Sequence, residues 1–206
     1  MAWSIPRTWT TTELVTKTIC DQHIRDQFVE LAHAVVVHDR DVTTTAVANT
    51  TTETTVYSKS IVGGVLSTNK AVRLSIIGDY LNNSGSDSNF RVRVKYGATT
   101  VFDSGDAAMT ASANTRGFKL DFMLSALNAT NAQVGSCTVV IANASSATAG
   151  HASGSDVFIT LSETHAGVAE DSTAAKTLLV TLQHGTAAAT ITANAYIAFL
   201  EYLTVG

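Results

Sequence analysis

From Val56 onwards the sequence alternates between apolar and polar residues. In residues 90–96, for example, two valines and a tyrosine face one way while two arginines and a lysine face the other. A two-residue period places one face of a strand against a core and the other in water. This pattern predicts strands over residues 55–62, 71–77, 90–96, 99–103, 116–126, 135–142, 156–162, 176–183 and 190–204. Clusters of Gly, Asn, Asp and Ser separate them without a helical period, which predicts a mainly β, antiparallel two-sheet sandwich over residues 55–206.

Residues 1–37 have a different period and form a separate segment. Thr10 and Glu13 have the spacing of a capping box, which predicts that a helix begins near Thr10 or Thr12. Apolar residues then recur at intervals of three or four and form one stripe of a helix: Cys20, Ile24, Phe28, Leu31 and Val35. The stripe must be covered by the chain's own β body, by identical helices of an oligomer or by another protein.

Residues 38–54 connect these two parts. They are rich in Thr, Ala, Val and Asn, and they show neither a helical period nor a strong core pattern. Because they contain neither Gly nor Pro, we predict an extended linker and not a floppy one.

Two groups of residues resemble known phage proteins. Residues 6–9, 13–16 and 23–26 have the sequences Pro-Arg-Thr-Trp, Glu-Leu-Val-Thr and His-Ile-Arg-Asp. This set of spaced motifs resembles the N-termini of tailed-bacteriophage virion structural proteins. Residues 78–83, 93–97 and 178–184 resemble phage appendage domains of the jelly-roll type. The resemblance implies a jelly-roll-like body, a trimer, and a place in a virion that is assembled in the host cytoplasm.

The N-terminal segment is the predicted attachment element. Both tryptophans of the chain, Trp3 and Trp9, lie in it, and aromatic residues dominate interface hot spots. We expect Trp3, Trp9, Ile24, Phe28 and Leu31 to bind other virion proteins.

The last predicted strand is apolar on both faces. Ile197 and Phe199 alternate with further apolar residues at the even positions, whereas a strand with one wet face should be apolar on one side only. One face is therefore predicted to lie at a homo-oligomer interface that contains Tyr196, Leu200 and Tyr202. A helix of the same chain is the other way to cover that face.

Nothing in the sequence indicates catalysis, a metal or a cofactor. There is no Gly-x-Ser-x-Gly motif, no metal-ligand pair of histidines and no prominent pair of acids. The loop from Asp79 to Asn89 offers oxygen ligands, so a bound cation is an alternative there, but its spacing is not that of an EF-hand. A net charge of −4 argues against general nucleic-acid binding, and no stretch approaches the roughly 20 apolar residues of a membrane span.

The predicted function is that of a non-enzymatic virion component, a tail, head or collar fibre. A capsid decoration protein and a host-surface carbohydrate-binding module are the alternatives. Arg91, Arg93, Lys95 and also Arg73 could form a basic strip. It would bind an acidic neighbouring protein or an anionic glycan, or it would simply be a solvated sheet face. The tyrosines that could serve as sugar platforms, or equally fill a core, are Tyr57, Tyr80, Tyr96, Tyr196 and Tyr202.

Overall fold

The structure, a computed structural model, describes residues 36–142 and 159–203. The predicted helix and the predicted attachment residues Trp3, Trp9, Ile24, Phe28 and Leu31 lie outside these ranges and stay predictions. The part of the chain that is described consists of strands, turns and irregular segments, with no helix. The prediction of a mainly β body is thereby confirmed.

The described residues form twelve strands. In chain order they are β1 (Val36–Asp41), β2 (Thr45–Ala48), β3 (Thr54–Ile61), β4 (Ala71–Asn82), β5 (Ser88–Tyr96), β6 (Thr99–Asp103), β7 (Ala107–Met109), β8 (Ser112–Ala129), β9 (Ala132–Ile141), β10 (Ile159–Val168), β11 (Lys176–His184) and β12 (Ile191–Leu203). Each of the nine predicted strands overlaps one of these, while β1, β2 and β7 are additional.

The strands form two sheets in which every pairing is antiparallel. The seven-stranded sheet has the order β1-β12-β4-β8-β9-β10, and β2 also pairs with β12. The five-stranded sheet has the order β3-β11-β5-β6, and β7 pairs with β5. Apolar side chains of both sheets share one core, for example Leu74 and Phe122 from the first and Phe90 and Val180 from the second. The jelly-roll connectivity stays a prediction.

Strands β1 and β2 lie partly or wholly within the predicted linker, where they cover residues 38–41 and 45–48. Both pair with β12, and Val47 of β2 is buried in the core. Asp39 of β1 accepts hydrogen bonds from Tyr57 Oη at 3.0 Å and Lys59 Nζ at 2.7 Å. Both strands thus belong to the seven-stranded sheet, and β1 is tied to β3, so paired strands begin before residue 55.

A β-bulge changes which residues of β12 face the core. Its pairing with β4 shifts between Ala195 and Ile197, so Tyr196 is an extra residue. Before the bulge Ala195 faces the core, and after it Ala198 and Leu200 do. Because side chains alternate with a period of two, one inserted residue exchanges the two faces.

Candidate functional site

The outer side of the seven-stranded sheet carries large apolar side chains that no described residue covers fully. Ile77 and Met123 are 47% and 45% exposed, and Ile197 and Phe199 of β12 are half-buried. Ile77 is the direct cross-strand partner of Ile197. We call these four residues the apolar face.

Two pairs of oppositely charged groups lie around the apolar face. Arg73 Nε donates to Glu201 Oε2 at 2.7 Å, and Lys119 Nζ lies 2.7 Å from Asp121 Oδ2. Asp121 also accepts a 2.6 Å hydrogen bond from Ser75 Oγ. A partner that buries this surface therefore does not have to supply opposite charges, because those charges are already neutralised within the sheet.

The structure separates the three residues predicted to form the oligomer interface. Tyr196 is 39% exposed on the outer side, and its hydroxyl donates a 2.5 Å hydrogen bond to Asp79 Oδ2. Leu200 is fully buried in the core. Tyr202 faces inward, is half-buried and stacks on His38 with ring centroids 4.1 Å apart. The bulge at Tyr196 is the physical reason, since it reverses the faces for every later residue.

The outer side of the five-stranded sheet carries the predicted basic strip, and there the structure corrects the prediction. Arg91, Arg93 and Lys95 project side by side from β5, but Asp103 and Glu53 neutralise them. Arg91 Nε and Nη2 each donate a 2.7 Å hydrogen bond to Asp103. Glu53 accepts hydrogen bonds from Lys95 Nζ at 2.5 Å and Arg93 Nη1 at 3.0 Å. Arg73 lies in the other sheet, so the four predicted residues do not form one strip.

These ion pairs hold the two carboxyl groups ionised. The hydrogen bond from Arg91 is the main cause that lowers the pKa of Asp103 well below its usual range. The hydrogen bond from Lys95 lowers the pKa of Glu53 in the same way. The result is a fixed network of alternating charges and not a free positive surface.

A polar cleft of about 230 Å³ opens beside this network. Its lining comes from the end of β11, from β5 and from neighbouring loops: Thr51, Asn89, Arg91, Arg93, Asp106, Gln183, His184 and Gly185. No aromatic ring other than that of His184 belongs to a residue of this described lining. The predicted tyrosine platforms lie elsewhere: Tyr57, Tyr80 and Tyr96 are buried in the core, and Tyr196 and Tyr202 belong to the other sheet. None of these tyrosines therefore lines the cleft.

A buried polar group lies between the two sheets. His184 is 1% exposed, and its Nε2 lies 3.1 Å from the carbonyl oxygen of Val47. A carbonyl only accepts, so Nε2 carries a proton. Burial lowers the pKa of His184. Its ring packs near Tyr80 and Phe90, with centroids 5.9 and 5.8 Å away.

The loop that offered oxygen ligands does not gather them. Asp79 accepts from Asn194 and Tyr196 on the outer face, while the buried Asn82 donates to two backbone carbonyls. Asp87 accepts from the N–H of Ala111. Within residues 36–142 and 159–203, no three His, Cys, Asp or Glu side chains are grouped as metal ligands.

Two further sequence expectations concern the core and membranes. The thiol of Cys137 is buried in the core, as the alternation in β9 predicted. Cys20 lies outside the described residues. Among those that are described, no helix is long and apolar enough to cross a membrane.

Comparison with known proteins gives distant likenesses only. No family model and no curated protein matches the chain. A carbohydrate-binding module, the CBM2 module of the evolved Dit of Lactobacillus casei BL23 phage J-1, is similar with a TM-score of 0.31 and 9% identity over 72% of this chain and 69% of that one. The structure of infectious bursal disease virus Gx strain is similar with a TM-score of 0.27 and 11% sequence identity, over 83% of this chain and 41% of that one. Protein SO2946 of Shewanella oneidensis MR-1 is similar with a TM-score of 0.30 and 8% sequence identity, over 95% of this chain and 97% of that one. Likenesses at this level indicate no shared function.

Proposed function

We propose that the chain is a structural component of a tailed-phage particle, an appendage of the tail, head or collar fibre type. Its N-terminal segment fastens it to other virion proteins, and its β body assembles with copies of itself. The resemblance in residues 6–26 supports the first part. The observation that carries the second part is the apolar face, because exposed apolar groups that lie together mark protein contacts. Ile77 and Ile197 are cross-strand neighbours with Phe199 beside them, and Met123 lies further along the sheet, opposite Arg73.

The energetics favour a contact through this face. Burying one large apolar side chain contributes roughly 1.5–3 kcal/mol relative to leaving it exposed. Ile77 and Met123 are nearly half exposed, and Ile197 and Phe199 extend the same surface. Several such side chains can offset the cost of association only when more than one subunit contributes them.

The pairing of charges on this face favours an identical copy as partner. In a symmetric oligomer the same surface recurs on each subunit, so unpaired charges of one sign would repel each other. Here Arg73 is paired with Glu201 and Lys119 with Asp121, which removes that repulsion for these four groups. A trimer is the assembly that the family resemblance implies.

The position of β1 supports a division of labour between segment and body. The predicted anchor joins β1, which lies at one edge of the seven-stranded sheet. The body is held by its own core, so it does not require the first 35 residues to complete the described sheets.

The proposal includes the absence of catalytic activity. A glycan-cleaving acid needs a raised pKa so that it keeps its proton. In the described part of the chain, each carboxyl group with a resolved shift has a lowered pKa, among them Asp39, Glu53, Asp121 and Glu170. Turnover of a host polysaccharide that one Asp or Glu substitution abolishes would contradict this part.

Attachment is tested by deleting residues 1–35. We expect the remaining body to fold, with a β-rich far-UV spectrum, and to be missing from purified particles. A second variant is the full chain with Trp3→Ala and Trp9→Ala, which should lower the copy number without removing any backbone. Normal incorporation of the truncated protein would overturn the attachment proposal. The copy number of the intact protein separates an appendage, present in few copies, from a decoration protein that covers the shell.

A further inference from the structure

We propose that the polar cleft beside β5 and β11 binds one neutral saccharide unit. The cleft brings fixed guanidinium donors together with an exposed carboxylate and an exposed amide. This proposal concerns the five-stranded sheet and is independent of the assembly proposed for the apolar face.

The donors are held in place before any ligand arrives. Arg93 Nε donates to Asp103 at 3.0 Å, and its Nη1 donates to Gln183 Oε1 at 2.8 Å and to Glu53 Oε2 at 3.0 Å. Among the described residues, these bonds leave the N–H groups of Arg93 Nη2 for another acceptor. Arg91 is held through Nε and Nη2, which leaves its Nη1. Donors that are already oriented lose little entropy on binding.

The acceptor side of the cleft is Asp106. Its side chain is 60% exposed and lies 3.6 Å from Arg91 Nη1, which is an ion pair but too long for a hydrogen bond. Asn89 is exposed on the same lining and offers both an amide donor and a carbonyl acceptor. The backbone N–H of Gly185 donates to the Asn89 carbonyl at 2.7 Å and fixes its backbone.

The charges select the chemical class of the ligand. Arg91, Arg93 and Lys95 are balanced by the carboxylates of Glu53, Asp103 and Asp106. The anionic group of a ligand would be repelled by these carboxylates and has no proton to donate to Asp106. A hydroxyl group donates to the carboxylate and accepts from the guanidinium at the same time. Vicinal hydroxyls of a neutral sugar therefore fit, whereas an anionic glycan does not.

The size and lining of the cleft set the extent of recognition. About 230 Å³ is below the roughly 300–1,000 Å³ of pockets that enclose drug-sized ligands, so one sugar ring is accommodated. Without an aromatic platform the ring is held by hydrogen bonds, each contributing about 1 kcal/mol net. We expect a single-site Kd on the order of 1 mM.

Saturation-transfer NMR with the full chain tests the proposal. The probes are the methyl glycosides of glucose, galactose and mannose and N-acetylglucosamine, with glucuronate and inorganic sulfate as anionic probes. At about 20 mM, a ligand with a millimolar Kd nearly saturates the site. We expect at least one neutral sugar to receive saturation and both anions to receive none.

Variants place the signal in the cleft. Asn89→Ala and Asp106→Asn should each reduce the saturation of that sugar at least fivefold, and Asp106→Asn should raise the signal of glucuronate because it removes a repulsive charge. Asp87→Asn is the matched control: it lies in the neighbouring turn, loses the same charge and does not line the cleft.

Three results would overturn the proposal: no neutral sugar binds, the signal survives both cleft variants, or an anion binds the unaltered protein better than any neutral sugar. The measurement requires no particle, so its failure would leave the proposed attachment and assembly untouched.

Discussion

Arg91 and Asp103 form a bidentate ion pair: Nε of the guanidinium donates a 2.7 Å hydrogen bond to Oδ1 of the carboxylate, and Nη2 donates a 2.7 Å hydrogen bond to Oδ2. Asp103 also accepts from Arg93 Nε at 3.0 Å and from the backbone N–H of Gly105 at 3.0 Å. One carboxylate therefore ties the end of β6 to two side chains of β5 and fixes the turn that follows.

Asp103→Asn should lower the free energy of unfolding by about 1–3 kcal/mol, because it leaves two guanidinium groups with a neutral partner. Urea unfolding at pH 7 measures the difference. The control Asp106→Asn removes the same charge at a more exposed position, where a surface pair contributes about 0–1 kcal/mol. The folded-state pKa of Asp103 is depressed, so its contribution is present above the unfolded value near 3.9 and is lost as the pH falls below it. Equal losses in the two variants would contradict the special role of Asp103.

His184 should make the body less stable in mildly acidic solution. Its folded-state pKa is lowered by burial, so between that value and the unfolded value near 6.5 the unfolded chain binds more protons. The free energy of unfolding then falls as the pH drops from 7 towards 5. His184→Gln keeps a donor for the Val47 carbonyl but cannot titrate. We expect this variant to be less stable at pH 8, by about 0.5–3 kcal/mol, and to show a flatter pH dependence. A dependence identical to that of the unaltered protein would assign the effect to another group.

Gly135→Ala should destabilise the body by more than the usual cost of overpacking, about 1–3 kcal/mol. An added Cβ would lie 2.1 Å from Val101 Cγ1 of the opposite sheet, so the Val101 side chain or the strand that carries it would have to move. Gly117→Ala is the control, since its Cβ would meet nothing within 4 Å. Thermal unfolding should show a lower Tm for the first variant and an unchanged or slightly higher Tm for the second. Similar Tm values for both would show that the sheets are not in tight contact at Gly135.

The apolar face should control self-association. Ile77→Glu combined with Met123→Glu places two charges on it, and we expect the oligomer to dissociate while the far-UV spectrum stays β-rich. Val62→Glu introduces a charge at an exposed apolar residue of the β3–β4 connection and should leave the assembly intact. Light scattering at micromolar concentration measures the mass of all three proteins. A monomeric unaltered protein would refute the proposed interface.

The central strands were predictable from the sequence, whereas three of the shorter strands were not. Strand β5 alternates cleanly, so its core side and its charged side follow from the pattern. Strand β1 pairs on one side only and points Asp39 at Tyr57 and Lys59, so it has no apolar alternation to detect. Strand β12 itself was predictable, but its faces were not, because one extra residue at Tyr196 reverses them and no local sequence signal marks the bulge.

The charge network was hidden for a different reason. Glu53 lies 40 residues before Arg93 in the chain, and its carboxylate meets Arg93 and Lys95 only when β3, β11 and β5 are paired. A sequence shows three basic residues in alternation but not the distant acids that neutralise them. The cleft depends on the same long-range placement, since its lining comes from four separate stretches of the chain.

Strands β1 and β2 pair with β12 and with no other described strand. The first two strands of the described body therefore cannot pair until β12, the last described strand, has been synthesised. Closing the seven-stranded sheet joins segments about 160 residues apart, such as Asp41 and Ala198, and loops of this length form slowly. Until residue 203 has left the ribosome, β4 has an open edge that can pair with a neighbouring nascent chain. Expression at low temperature or at a reduced translation rate should therefore favour soluble protein.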